Sequence, residues 1–122
     1  MEKWFRHALF ATSVVNMLGA ALFVPANTFG RDLLGLPAPV PALYLWIIAS
    51  WIAGFGVAYF WMALYETRDR LFIAIGAFGK LTFFLILAAE WSAGTIPLTA
   101  AAGGLWDLVL GALFVVWLAK TQ

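Results

Sequence analysis

Four apolar stretches, each of about 20 residues, divide this chain and set the terms on which it folds. They run from His7 to Val24, from Pro41 to Tyr65, from Leu71 to Glu90 and from Leu98 to Ala119. A helix advances about 1.5 Å per residue, so about 20 apolar residues cross a bilayer core. Hydrocarbon offers no partner to backbone N–H and C=O groups, and such a segment must satisfy them internally as an α-helix. The expected fold is all-α: an integral membrane four-helix bundle with four transmembrane spans, one domain over residues 1–122. Composition agrees, with 65% hydrophobic and only 11% charged residues. A water-soluble domain carries about 25% charge.

The breaks between spans are short, except one. "ETRDR" (Glu66–Arg70) joins the second and third spans and "WSAGTIP" the third and fourth. Pro41 opens the second span where its missing N–H costs nothing. Residues 25–40 form the long connection, an interfacial loop whose Phe29, Leu33, Leu34 and Leu36 read as a short amphipathic piece lying at the membrane surface. Its alternative is a flap over the mouth of the bundle. Lys3, Arg6, Arg68, Arg70 and Lys120 fall on one side and Arg31 on the other. That bias predicts cytoplasmic termini, with the "ETRDR" turn on the same side. Trp4, Trp61, Tyr65 and Trp117 then form an inner aromatic belt, and Tyr44, Trp46 and Trp91 an outer one. Val24-Pro25-Ala26 resembles the end of a signal peptide, but the apolar stretch before it exceeds the usual length of about 7–15 residues. A retained first span is the expectation.

Several function classes drop out. The net charge is +1, so no basic stripe for nucleic acid exists. The chain has no cysteine, which removes disulfides, thiolate metal sites and S-palmitoylation. His7 is the sole histidine; haem would need a second axial ligand that the chain does not offer, so His7 reads as interfacial, and no metal or cofactor is expected. Nucleophile elbows, phosphate loops and dinucleotide fingerprints are missing.

What remains is a set of polar residues at one depth. Asn16 lies nine residues past His7, and Lys80 nine past Leu71, about 13–14 Å in from the same side. Asp107, twelve residues before Ala119, lies at about 18 Å. In a core about 30 Å thick all three are near the middle, where a lone charge costs about 2.5–3.5 kcal/mol on insertion scales. The cheapest arrangement turns Lys80 and Asp107 inward as a pair, with the Asn16 amide as a neutral partner. Small residues mark the inward faces: Thr12, Ser13, Gly19 and Ala20; Ser50, Ala53, Gly54 and Ala58; Gly76 and Ala77; Gly103, Gly104 and Gly111. The pair is either structural or lines a ligand or ion site; a third outcome is that the two never meet. Tyr59 is placed to hydrogen-bond into the centre. Trp51 and Trp106 are too deep for the belts, and serve either as packing mass or as pocket walls. Glu90 stands beside Trp91, either wet at the interface or guarding the outer mouth.

The runs "GFGVAYF", "IGAFGKL" and "GLWDLVLGALFVVWL", together with size and span count, resemble the small bacterial four-helix inner-membrane proteins called DoxX-like, over Pro41 to Leu118. The resemblance carries over no catalytic residue and implies that Lys80 and Asp107 are positions such a family keeps. Sterol-isomerase and sigma-2-receptor type proteins are similar in architecture, which implies that a bundle of this size can hold a hydrophobic amine or sterol beside acidic residues.

The leading expectation is a non-enzymatic membrane protein whose Lys80–Asp107–Asn16 cluster stabilises the bundle, and either lines a pocket for a lipid-like molecule or supports a partner subunit. Membrane lipids, a hydrophobic small molecule, and a homodimer or partner membrane subunit are the expected partners. A small proton- or cation-coupled transporter acting as a dimer is the first alternative. A lipid-modifying or isomerase-like enzyme using Asp107, Glu90 and Lys80 is the second.

Overall fold

The computed structural model describes residues 1–121, and among them every regular element is a helix. The order is α1 (Lys3–Phe23), α2 (Thr28–Leu34), α3 (Ala42–Tyr65), α4 (Arg70–Ser92), α5 (Leu98–Ala102) and α6 (Leu105–Lys120). Three segments are long and apolar enough to cross a membrane: α3, α4 and the α5–α6 run. A fourth is added if α1 and α2, bent by 105° to each other, count as one span.

The helix ends follow local chemistry. Asp69 caps α4 by accepting the Phe72 N–H at 3.0 Å, and Asn27 caps α2 by accepting the Gly30 N–H at 3.1 Å. Gly35 closes α2 in the left-handed region at φ 77°, while the N–H of Leu36 returns to the Arg31 carbonyl at 3.0 Å. That glycine also lies against the Pro97 ring, where a Cβ would collide. The amphipathic piece foreseen in residues 25–40 is thus a two-turn helix. Arg31 fixes its angle: its guanidinium donates to the carbonyls of Leu22, Val24 and Pro25 at 2.7–3.0 Å. Those carbonyls lie at the C-terminal end of α1 and just past it, where helix carbonyls otherwise go without partners.

The fourth apolar stretch is not one uninterrupted helix. It breaks at Gly103–Gly104, between α5 and α6. The close approach to α4 explains the glycine there: a Cβ on Gly104 would meet Leu87 Cδ1 at 2.8 Å.

Pairing does not follow chain order. α1 packs mainly along α3, and α4 mainly along α6, while the consecutive helices α3 and α4 scarcely approach backbone to backbone. Met1, Thr121 and the α3–α4 turn gather at one end of the bundle. There the N-terminal ammonium lies 3.9 Å from Glu66, Arg68 lies 3.7 Å from Glu2, and Arg70 donates to the Leu118 carbonyl at 3.0 Å. The half of the bundle nearest this terminal end is packed solid around Phe5, Leu9, Tyr59, Ile73, Phe114 and Trp117. Phe5 stacks on Trp117 with centroids 4.3 Å apart and planes 6° apart. Trp117, expected in an aromatic belt, is therefore a core residue, held inward because its indole N–H donates to Glu2 at 2.9 Å.

The inward face of α3 also differs from expectation. Ser50 and Gly54 are exposed, and the Ser50 hydroxyl returns to the Ile47 carbonyl. The buried face instead carries Leu45, Ala49, Gly56, Tyr59 and Ala63. Gly56 decides this: Ser13 donates to its carbonyl at 2.8 Å, and a Cβ there would press on Met17 Sδ at 2.9 Å. Bare backbone at Gly56 is what lets α1 come this close.

Candidate functional site

Above the solid half the bundle is hollow. A cavity of about 850 Å³ lies between the α1–α3 pair and the α4–α6 pair, lined by residues of α1 to α6. Leu34 and Leu36, from α2 and the turn after it, line its far end, and the Thr99 hydroxyl donates to the Leu34 carbonyl at 2.9 Å. Leu36 packs on Ile96, Ala100 and Ala101. The segment expected either at the interface or over the mouth therefore roofs the cavity.

The walls are apolar and the side gaps are open. Trp51 of α3 and Phe78 of α4 both line the cavity, yet are 67% and 73% exposed, so the space reaches the exterior between those helices. Leu18 and Trp106 stand in the same way on the α1–α6 side. Of the two roles open to Trp51 and Trp106, pocket wall is the one their positions match.

Polar groups converge where the cavity meets the packed half. Lys80 projects from the middle of α4, its side chain only 7% exposed. Its ammonium donates to Asn16 Oδ1 at 2.9 Å and to Asp107 Oδ1 at 3.1 Å. Asn16 in turn donates from Nδ2 to the Ile52 carbonyl of α3 at 3.0 Å. The network therefore ties α1, α3, α4 and α6 at one level. Gly111 makes room for it, since a Cβ there would sit 3.0 Å from Leu81 and 3.3 Å from the Lys80 Cβ.

Asp107 owes its place to the break in the last span. It lies in the first turn of α6, where unpaired N–H groups and the positive end of the helix dipole favour a carboxylate by about 0.3–1 kcal/mol. The pairing with Lys80 offsets most of the rest. An uncompensated buried charge would cost several kcal/mol.

Tyr59 is buried under the same cluster. Its ring centroid is 5.7 Å from the Lys80 ammonium, within cation–π reach. Its hydroxyl lies against Gly76, and both residues line the cavity. Among the described residues the Tyr59 hydroxyl and Asp107 Oδ2 make no hydrogen bond, and since no fully buried side-chain polar atom lacks a partner, both keep some open surface. Glu90 stands apart: it is exposed at the end of α4, where its carboxylate accepts from the Thr95 hydroxyl, and it lines no part of the cavity. His7 is exposed. No group of three or more His, Cys, Asp or Glu able to hold a metal occurs among the described residues.

No family model, curated protein or solved structure matches the chain. The site therefore stands on its own geometry. Of the candidate residues, Lys80, Asp107 and Asn16 are bonded to one another, Tyr59 lies beneath them, and Trp51 and Trp106 form walls. Sequence reading placed Ser13 on the inward face without giving its hydroxyl a partner, and passed over Gly79. Ser13 carries a second bond from α1 to α3, and its hydroxyl beside Asn16 on one helical face was the available signal. Gly79 lines the cavity with nothing within 4 Å of where its Cβ would stand, and no sequence signal marks that vacancy.

Proposed function

We propose that this chain is a small, non-enzymatic, multi-pass inner-membrane protein of the DoxX-like kind, with four spans and cytoplasmic termini. Its cavity holds a lipid-like molecule, and its Lys80–Asp107–Asn16 cluster both fastens the bundle and forms the polar floor beneath that molecule. The observation that carries this reading is the coincidence of one large apolar cavity with one convergent polar cluster. Ligand sites are of this build: about 300–1,000 Å³, mostly apolar, with a few placed polar groups.

Two features support binding over transport or catalysis. The packed layer of Phe5, Tyr59, Phe114 and Trp117 lies between the cluster and the terminal end, closing the path a conducted ion would take. Lys80 is engaged by two acceptors and, as an ammonium, has no lone pair to offer a substrate.

The test is native mass spectrometry of the protein purified in mild detergent, on wild type and on Gly79→Leu. The added side chain enters open space in the cavity, so the variant folds and loses the co-purifying molecule. Gly54→Leu, which also meets open space but stands outside the large cavity, keeps it. Bare protein in all three samples would refute the proposal.

A further inference from the structure

We infer that the cavity selects an electrically neutral amphiphile with a hydroxyl head: a long-chain or polycyclic alcohol, and not a fatty acid or an amine. This rests on the binding role just proposed and goes further, to the chemistry of the head group.

The argument is one of open valences. The ammonium of Lys80 has three protons, and two are taken by Asn16 Oδ1 and Asp107 Oδ1. Asp107 has a second oxygen, and its side chain is 17% exposed on the cavity. Tyr59 lines the same floor, with its hydroxyl beside Gly76, another lining residue. The site therefore offers an acceptor at Asp107 Oδ2, and donors at Tyr59 and at the third Lys80 proton. An alcohol donates one hydrogen bond and accepts up to two, which matches that set.

Charge excludes the alternatives. Lys80 and Asp107 cancel each other 3.1 Å apart. A carboxylate head reaching for Lys80 would lie beside the Asp107 carboxylate. An amine head reaching Asp107 would lie beside the Lys80 ammonium. Either leaves one charge in excess within a largely apolar enclosure, an arrangement that low-dielectric surroundings penalise. A bare hydrocarbon fits the walls but leaves Asp107 Oδ2 and the Tyr59 hydroxyl without partners, which is costly for buried polar groups.

The experiment holds the tail constant and varies the head. Delipidated protein in detergent is titrated with oleyl alcohol, oleic acid, oleylamine and octadecene, with thermal shift and native mass spectrometry as readouts. Oleyl alcohol binds tightest, by roughly tenfold or more over each of the others. Tyr59→Phe removes one hydroxyl only; it weakens the alcohol by roughly 3- to 10-fold and, because no hydroxyl is then left stranded, tightens octadecene. Asp107→Asn leaves Lys80 unbalanced and moves the preference to oleic acid. Should that variant fail to fold, the wild-type ranking and Tyr59→Phe still decide the matter. Oleic acid or oleylamine equalling the alcohol overturns the inference, and so does equal binding of all four; either leaves the cavity as a binding site. Thiol cross-links from Phe78→Cys that place a helix of a second copy in the opening also overturn it. If none of the four binds and the purified protein carries nothing, the binding role falls as well.

Discussion

The two halves of this bundle are made from the same helices and are built on opposite plans. Toward the termini, Phe5, Leu9, Tyr59, Phe114 and Trp117 fill the space between helices completely. Toward α2 and α5, Gly79, Gly103 and Ala100 stand among larger wall residues such as Leu22, Ile52, Phe83 and Leu87, and the space stays open. The polar cluster marks the boundary. What differs is whether the facing side chains meet across the centre, not helix content or hydrophobicity. Apolar helices packed without a hydrophobic drive between them depend on contact and hydrogen bonds, so the solid half must supply the stability that the hollow half forgoes.

The largest test of that division cuts the boundary. Lys80→Met or Asp107→Leu alone strands its partner's charge, and each should destabilise by about 3–5 kcal/mol in reversible unfolding from mixed micelles. The double variant should recover most of the loss, because a matched apolar pair satisfies the same space. Harmless single changes would mean that the pair carries no structural weight.

Next comes the contrast of halves itself. Phe114→Ala opens a void among fully buried rings and should cost about 3 kcal/mol. Phe83→Ala, on the partly exposed cavity wall, should cost under about 1 kcal/mol by the same measurement. Equal costs would erase the distinction.

Two neighbouring glycines sharpen it further. Gly76→Ala drives a methyl into the Tyr59 hydroxyl and should destabilise by about 1–2 kcal/mol. Gly79→Ala meets open space and should stabilise by up to about 1 kcal/mol through helix propensity. Three residues apart on α4, they should move the unfolding midpoint in opposite directions.

The smallest effect is at the terminal end. Glu2 is held below its ordinary value near 4.5 by its own backbone N–H, then by the Trp117 indole, with Arg68 and the N-terminal ammonium adding to it. A carboxylate depressed in the folded state contributes in full above its unfolded value, and that contribution is lost as pH falls through the folded one. Wild type should therefore lose slightly more melting temperature than Glu2→Gln as the pH is lowered through 4.5 and below. Parallel melting curves for the two would contradict the role given to Glu2.

Much of this was legible beforehand, and the rest had physical reasons to hide. Lys80, Asp107 and Asn16 could be found because a polar group among apolar residues is conspicuous, and depth follows from counting at a fixed rise. The hollow could not be found, because a vacancy has no residue type: Gly79 borders it and Gly54 faces outward, and they read identically. The face of α3 was misread for a related reason. That helix is apolar all round, so small residues at Ser50 and Gly54 carried no sign of which side α1 would choose. The break at Gly103–Gly104 looked like one more small-residue stripe, although it is what sets Asp107 at a helix start.

The roof has one more consequence. Arg31 rivets α2 to the end of α1, and Thr99 with the Gly35–Pro97 contact fastens the following turn to α5. A cover anchored at both ends does not swing. On the binding role proposed above, entry to the chamber would be sideways, through the gaps beside Trp51 and Phe78 or beside Leu18 and Trp106. Loading would scale with how much of a compound dissolves in the surrounding oil, and its concentration in water would matter only through that reservoir.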